Sequence, residues 1–294
     1  MKPLELKDFL QYRYLSGLTW APGGGAAAFL VKEANLDKNG YDTHIWIHRG
    51  GKQTQLTAAG DETGLCWEDG KHILFPDLRT DADKKRRADG EQFTVFYRIG
   101  IDGGEALRAF ELPFAVTELA VADENYFVAM GKIDVNCPDY YAMTDQARRE
   151  TEKYWKEESD FQVIDELPFR FNGMGYINKV RNAIFLVDRK TLEVRRLSAA
   201  NEEVNAWTMV DGKVCYCAEA IETKMLYRQK IYVCDPAQGE AVCKYGGAEY
   251  QIEYMVGYKG KVVFAGGTQE RYGYNENPMF YQMDLDTGAV TLFS

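Results

Sequence analysis

The sequence predicts an all-β protein: a β-propeller of four-stranded antiparallel blades, with five blades present and a partly helical insertion in the third. Two observations predict this fold class. A unit of two hairpins recurs five times along the 294 residues, and repeats of blade size are typical of propellers. The strands also include continuous apolar runs, such as residues 29–31 and 262–264, which suit strands that are buried on both faces between stacked sheets.

In each repeat, the second hairpin joins an aromatic or β-branched run to another short strand through a polar turn. These turns contain the pairs Gly50-Gly51, Gly103-Gly104, Arg189-Lys190, Gln238-Gly239 and Thr287-Gly288. Glycine supplies the positive φ that tight hairpin turns require. The first hairpin begins almost identically in two repeats, with GLTW at residues 17–20 and GLCW at residues 64–67. Four antiparallel strands in series make one propeller blade.

We therefore treat residues 1–294 as a single propeller domain. The predicted blades cover residues 16–58, 64–110, 116–198, 205–245 and 253–294. A β-sandwich would also contain many short strands, but it would not repeat one two-hairpin unit in register. Each blade has too little core to fold alone, so its stability comes mostly from neighbouring blades. An unclosed row of blades would expose strand edges, and we expect self-association through them.

The loops between the second and third strands of the blades are predicted to be long and to share one face. They are residues 35–43, 79–92, 134–182, 221–229 and 268–278. Functional residues are concentrated in loops that are longer than chain closure requires. We therefore expect this face to be the working face of the protein.

The insertion at residues 134–182 is the longest of these loops. Thr144 is a suitable N-cap, so a helix is predicted to follow it, with Glu152 and Lys156 as an i,i+4 pair and Trp155 as an apolar anchor. The stretch beyond the helix contains proline and glycine residues that predict an extended, turned arm. Two interpretations are open: the arm is a lid that only covers blade edges, or it lines a ligand cavity.

Composition excludes several classes of protein. The net charge is −10, whereas a nucleic-acid-binding protein usually carries a basic stripe; the basic run at residues 84–87 is flanked by acidic residues and is interpreted as a solvated loop. The sequence has neither a signal-peptide pattern nor an apolar run of membrane-spanning length. The six cysteines form no CxxC pair. We expect a cytoplasmic protein with reduced thiols that binds neither nucleic acid nor membranes.

The residue patterns of common catalytic sites are not found. The four serines do not lie in a GxSxG elbow, and the three histidines His44, His48 and His72 are interpreted as structural. We expect no catalytic residue, no metal and no cofactor. Glu118 and Glu253 lie on predicted innermost strands, where paired acids could hydrolyse sugars. A carbohydrate-active propeller and a stand-alone five-bladed binding propeller therefore remain alternatives.

Two stretches carry a family resemblance. Residues 4–32 contain a short lead-in, a strand, the turn Ala-Pro-Gly-Gly at residues 21–24 and a second strand; residues 165–178 contain a proline, an aromatic pair and an Asn-Gly-x-Gly-Tyr motif. In these features the whole chain resembles the N-terminal propeller of the prolyl oligopeptidase family of serine peptidases, on its acylaminoacyl-peptidase and dipeptidyl-peptidase branch. The turn departs mildly from the family's Ser-Pro-Asp-Gly pattern.

The resemblance implies a function and a set of partners. Members of the family carry a C-terminal α/β-hydrolase domain with a Ser-Asp-His triad, and their propellers of seven or eight blades admit only short peptides to it. We therefore expect this chain to be a truncated member that is inactive alone, with short peptides and an α/β-hydrolase domain as its partners.

The resemblance also implies candidate substrate-binding residues. Dipeptidyl-peptidase relatives hold the free amine of the substrate with a pair of glutamates on a propeller helix, and Glu157 and Glu158 at the end of the predicted helix are the candidates for that pair. Arg170, Phe171 and Asn172, in the second resembling stretch, are the further candidates.

Overall fold

A computed structural model describes residues 3, 5 and 7–293 of the chain. These residues form mostly antiparallel β-sheets. They divide into two compact units, one containing residues up to 112 together with 118–121, and the other containing residues 113–117 and those from 122 onward. No helix in the described part of the chain is long and apolar enough to cross a membrane.

The first unit contains two four-stranded sheets whose strands pair in chain order. The first sheet is formed by β1 (Arg13–Trp20), β2 (Ala26–Asn35), β3 (Gly40–Arg49) and β4 (Lys52–Gln55). The second is formed by β5 (Cys66–Trp67), β6 (His72–Pro76), β7 (Thr94–Gly100) and β8 (Leu107–Leu112). Ile45 of the first sheet and Phe75 of the second are fully buried in one apolar cluster, so the two sheets share a core.

Two predicted loops of this unit contain regular secondary structure. Most of residues 35–43 belong to β2 and β3, because Asp42 accepts hydrogen bonds from Asn35 (2.6 Å) and Lys38 (2.8 Å) and so closes a tight hairpin. Within residues 79–92 the chain forms helix α1 (Asp81–Ala88), which Thr80 caps by accepting a hydrogen bond from the Asp83 amide.

The basic run at residues 84–87 is therefore helical, and the prediction of a solvated loop is wrong. Arg86 explains why this segment is a helix and not a solvated loop, since its guanidinium forms ion pairs with Glu91 at 2.6 Å and Glu111 at 2.7 Å. These pairs fix α1 against β8.

The third sheet has the strand order β9-β10-β13-β14. Its elements and the insertion between them are β9 (Ala115–Val121), β10 (Tyr126–Asp134), α2 (Asp145–Glu157), β11 (Arg170–Phe171), β12 (Gly175–Tyr176), β13 (Val180–Asp188) and β14 (Val194–Arg196). The short strands β11 and β12 form a two-stranded ribbon of their own.

The predicted insertion helix is confirmed as α2. Thr144 accepts a hydrogen bond from the Ala147 amide, and Trp155 packs against Tyr140 with 5.3 Å between ring centroids. The Glu152 carboxylate accepts a hydrogen bond from the Tyr140 hydroxyl, and its pairing with Lys156 stays a prediction. The aromatic contact and this hydrogen bond together dock the helix.

The last sheet of the described chain has seven strands in chain order. They are β15 (Glu202–Val210), β16 (Lys213–Ala220), β17 (Gln229–Cys234), β18 (Ala241–Tyr258), β19 (Lys261–Gly267), β20 (Met279–Asp284) and β21 (Val290–Leu292). The sequence predicted a break between residues 245 and 253, but β18 is continuous. Its first part pairs with β17 and its second part with β19, so one strand belongs to two four-stranded halves.

The sequence of β16 is apolar without alternation because the side chains on both faces of the strand pack in apolar clusters. Cys215 and Cys217 face a cluster with Phe264 of β19, whereas Val214 and Tyr216 face a cluster with Ile184 of β13. The third sheet and the two halves of the seven-stranded sheet are therefore stacked. The prediction of strands buried on both faces is confirmed here.

Candidate functional site

The segment between α2 and β13, residues 158–179, forms an arm that is tied to the loop between β16 and β17. The Leu167 amide donates to the Thr223 carbonyl at 2.9 Å, and the Met225 amide donates to the Leu167 carbonyl at 2.8 Å. The arm is also closed on itself, because the Asn178 side chain donates to the Val163 carbonyl at 2.7 Å and accepts from the Glu166 amide at 3.2 Å. These bonds hold the arm at a fixed distance from the sheets.

A cleft of about 90 Å³ lies beneath this arm. We call it the arm cleft. Its apolar walls are Leu167, Pro168, Phe171, Met174, Ile177, Val180, Ile221 and Met225. Its polar groups are Lys132, Glu166, Arg181, Asn182 and Glu203. Small-molecule sites typically have mostly apolar walls and a few polar groups. Of the two interpretations of the arm, the structure therefore supports the one in which it lines a cavity.

Glu166 forms a compensated ionic cluster at one side of the arm cleft. Its side chain is 4% exposed and accepts hydrogen bonds from Arg181 Nη2 at 2.6 Å and Lys179 Nζ at 3.0 Å. Burial acts to raise the pKa of Glu166, but the hydrogen bonds from Arg181 and Lys179 outweigh it and hold the pKa below its ordinary value. Glu166 is therefore an ionised carboxylate whose charge is already balanced.

Glu203 is the second carboxyl group of the arm cleft, and its surroundings differ. It accepts hydrogen bonds from the Asn182 amide at 2.9 Å and from Asn182 Nδ2 at 2.6 Å. Burial raises the pKa of Glu203 to about 7, and the neighbouring Glu219 adds to the rise. Among the described residues, no cationic side chain forms an ion pair with Glu203.

Glu219 supports the site from the next strand. It lies directly opposite Glu203 in the antiparallel pair of β15 and β16 and is 6% exposed. Its carboxylate accepts hydrogen bonds from the backbone amides of Leu226 and Tyr227 at 3.0 Å and from Gln229 Nε2 at 3.2 Å. Glu219 thus fixes the loop that carries Met225 to the wall of the cleft.

The structure brings one of the five predicted site residues into the arm cleft. Phe171 lines its wall. Glu157 ends α2, is exposed and lies 3.6 Å from Lys153. Glu158 is the C-cap of α2, while Arg170 and Asn172 are exposed on the two-stranded ribbon. The last four residues do not belong to the cleft lining.

The sequence reasoning missed Arg181, Asn182 and Glu203. Their signal was weak but present, since an arginine and an asparagine precede the apolar run of β13 and two glutamates begin β15. Charged residues at the start of an otherwise buried strand indicate that their side chains form ion pairs or hydrogen bonds, but the partner cannot be identified from local spacing.

Other candidate residues of the sequence are not among the residues that line the arm cleft. His44 Nδ1 is 3.9 Å from Glu62, and His72 Nδ1 is 2.9 Å from Asp69. Glu118 and Glu253 are exposed on β9 and β18. Within residues 7–293 no group of three or more His, Cys, Asp or Glu side chains could hold a metal ion.

Comparisons with known proteins identify relatives of the fold. Acylaminoacyl peptidase from Pyrococcus horikoshii matches 98% of this chain with a TM-score of 0.66 and 16% identity, and the match covers 40% of that protein. A puromycin-hydrolyzing peptidase from Mycobacterium tuberculosis matches 96% of this chain with a TM-score of 0.54 and 12% identity, over 37% of that protein.

Among curated proteins, the uncharacterized peptidase YuxL from Bacillus subtilis (strain 168) is 22% identical over 184 residues, which are 61% of this chain and 25% of that protein. No family model matches the chain. The chain therefore spans less than half the length of each of these relatives, and it has the fold of the propeller region of these peptidases.

Proposed function

We propose that this chain is the non-catalytic propeller of a serine-peptidase-like protein of the prolyl oligopeptidase family. In this proposal its five blades bind short peptides in the arm cleft and screen them for an α/β-hydrolase domain. The observation that carries the proposal is a cleft with apolar walls and a few polar groups, lined by the arm, in a chain whose fold is that of peptidase propellers.

The composition of the arm cleft suits a peptide. Its apolar walls offer burial to one small side chain, and burying an aliphatic side chain contributes about 1.5–3 kcal/mol. Its lysine, arginine, asparagine and two glutamates supply both donors and acceptors for peptide amides and termini. These groups hold and orient a ligand, whereas cleavage is assigned to the hydrolase domain.

The outer surface of the arm supports the assignment of a second domain. Several large apolar side chains of the arm are exposed and lie outside the cleft lining, namely Phe161, Val163, Ile164 and Tyr176. A concentration of exposed apolar side chains marks an interaction surface. We assign this surface to the hydrolase domain, which would receive the peptides admitted along the arm.

Calorimetric titration of the 294-residue chain with tripeptides and tetrapeptides that have an apolar first residue tests the proposal. Met174→Glu places a charge on the exposed apolar wall and should weaken binding by about tenfold, because that loss corresponds to about 1.4 kcal/mol of apolar contact. Met279→Glu is the matched control, since Met279 is an exposed methionine outside the cleft lining.

Three outcomes would overturn the proposal. Peptide binding could be undetectable at millimolar concentration, or the two variants could bind peptides equally well. Alternatively, the chain could hydrolyse oligosaccharides and lose this activity in Glu118→Gln, which would favour the carbohydrate-active alternative. Peptide binding by a chain that forms a closed ring and associates with no hydrolase domain would favour a stand-alone binding propeller.

A further inference from the structure

We propose that two copies of this chain associate through the outer face of the sheet half formed by the second part of β18 with β19, β20 and β21. We call this surface the open face. Its apolar side chains are Tyr254, Val256, Tyr258, Val263, Ala265, Phe280 and Phe293. None of these residues lines the arm cleft, so the inference is independent of the proposed function.

The strand register gathers these side chains on one face. Residues directly opposite each other in neighbouring antiparallel strands share a face of the sheet. One row crosses all four strands and consists of Tyr254, Ala265, Phe280 and Phe293. The Phe293 amide donates to the Phe280 carbonyl at 2.7 Å and so continues this row beyond β21. The neighbouring row on the same face consists of Val256, Val263, Gln282 and Thr291.

The opposite face of the same strands is buried. Phe264 and Met283 pack in the apolar cluster that includes Cys215 of β16. On the open face, in contrast, Tyr254 is 73% exposed and Val256 is 57% exposed. The described residues therefore leave one face of this sheet half uncovered, although stacked strands such as β16 are covered on both faces.

The area of the open face is large enough for a dimer. Aromatic side chains bury about 150–250 Å² each when they are covered, so the exposed parts of this face offer about 500–600 Å² per copy. Contiguous apolar patches of this size mark interaction sites on soluble proteins. A symmetric pair would bury about 1,000–1,200 Å² in total, which reaches the lower limit of specific interfaces.

The chemistry of the open face suits a second copy of itself. The row that contains Val256 carries no charged side chain, so two such faces can meet without burying a charge there. Lys261 and Asp284 lie opposite each other at one margin and give the apolar centre a charged rim, as in other interfaces. A twofold dimer uses the same patch on both copies, and two sheets that pack face to face are a common arrangement.

The contact is assigned to the face of the sheet and not to its edge. The sequence predicts self-association through open strand edges, and the edge strand of this sheet half is β21. With only three residues, Val290–Leu292, β21 offers few backbone groups for pairing with another chain, and short edge strands are a usual protection against such pairing. The larger apolar area lies on the face.

Sedimentation velocity of the 294-residue chain between about 1 and 200 µM tests the inference. We expect a reversible equilibrium, with monomers at the low concentration and dimers at the high one, because the interface is small. Methyl NMR over the same range locates the contact. The signals of Val256 and Val263 should shift with concentration, whereas the signal of Val242 should not. These measurements use the natural protein and need no variant that might fail to fold.

A matched pair of variants tests the role of the open face. Val256→Asp places a carboxylate on the central row of both copies, where it would be buried without a partner, and should weaken the dimer at least about 100-fold. Val242→Asp is the control, since Val242 is 55% exposed on the first part of the same strand and does not belong to the open face. The control should form dimers as the natural protein does.

A chain that stays monomeric up to about 200 µM would overturn the inference, as this is well above the concentration at which specific interfaces form. A dimer that Val256→Asp leaves intact would overturn it as well and would point to pairing through strand edges. Assemblies that grow beyond the dimer would also contradict it, because a twofold contact closes on itself. Shifts of the Val242 signal without shifts of Val256 would place the contact elsewhere and refute the assignment.

Discussion

Replacing Glu203 by glutamine is expected to stabilise the protein above neutral pH. The pKa of Glu203 rises from its ordinary 4.5 to about 7 on folding, so the folded state takes up a proton between these values. The stability provided by this protonation is fully present below pH 4.5 and is lost as the pH rises through 7. A shift of this size corresponds to about 3 kcal/mol at most, and access of solvent through the cleft reduces the expected effect to about 1–3 kcal/mol.

Glutamine has the shape of the protonated carboxyl group and carries no charge. Its oxygen can accept from the Asn182 amide, and the Asn182 side chain can turn over to accept from its nitrogen, since both atoms that now donate to Glu203 belong to Asn182. The variant should therefore match the natural protein at pH 5. At pH 8 it should be more stable by about 1–3 kcal/mol.

Urea unfolding at pH 5, 6, 7 and 8 measures the difference in the free energy of unfolding between the variant and the natural protein. Hydrogen exchange of the β15 and β16 amides then measures the same difference locally. Glu193→Gln is the control, because Glu193 is exposed in the same compact unit. Parallel stability profiles of Glu203→Gln and the natural protein across this range would refute the reasoning. A variant that is less stable at every pH would refute it as well, since it would show that the carboxylate is stabilising.

Three further predictions concern the elements around the arm cleft. Glu166→Gln removes the carboxylate partner of the buried Arg181 and should destabilise the protein by about 3–5 kcal/mol in urea unfolding; a loss below about 1 kcal/mol would contradict this. Gly131→Ala would place a Cβ 2.7 Å from both the Ala115 carbonyl oxygen and the Phe114 ring, so a loss of about 1–3 kcal/mol is expected in the same assay. Unchanged stability would show that the backbone at Ala115 and the ring can both move. Thr144→Ala removes the N-cap of α2 and should lower the protection of the helix amides against hydrogen exchange by about 1 kcal/mol. Unchanged exchange rates in α2 would contradict this prediction.

Most of the strands could be predicted because their signals are local. The turn at Gly50-Gly51 separates β3 from β4 as expected, and the N-cap at Thr144 marks the start of α2. Apolar runs without alternation correctly indicated strands buried on both faces, as in β16. Turn chemistry, capping and burial pattern are all properties of a few adjacent residues.

The arm cleft could not be predicted because its contacts join residues that are distant in sequence. Arg181 pairs with Glu166 across 15 positions, and Glu203 accepts from Asn182 across 21 positions. The helix α1 was missed for the same reason, since Arg86 finds Glu111 across 25 positions. Such pairings depend on how the arm and the sheets fold back, and no local pattern encodes them.

The most direct test is a crystal structure of the 294-residue chain grown with leucylglycine at pH 8. We expect electron density for the dipeptide in the arm cleft, with its leucine side chain against the apolar walls. Density for the dipeptide elsewhere on the protein with an empty cleft would contradict a peptide site beneath the arm.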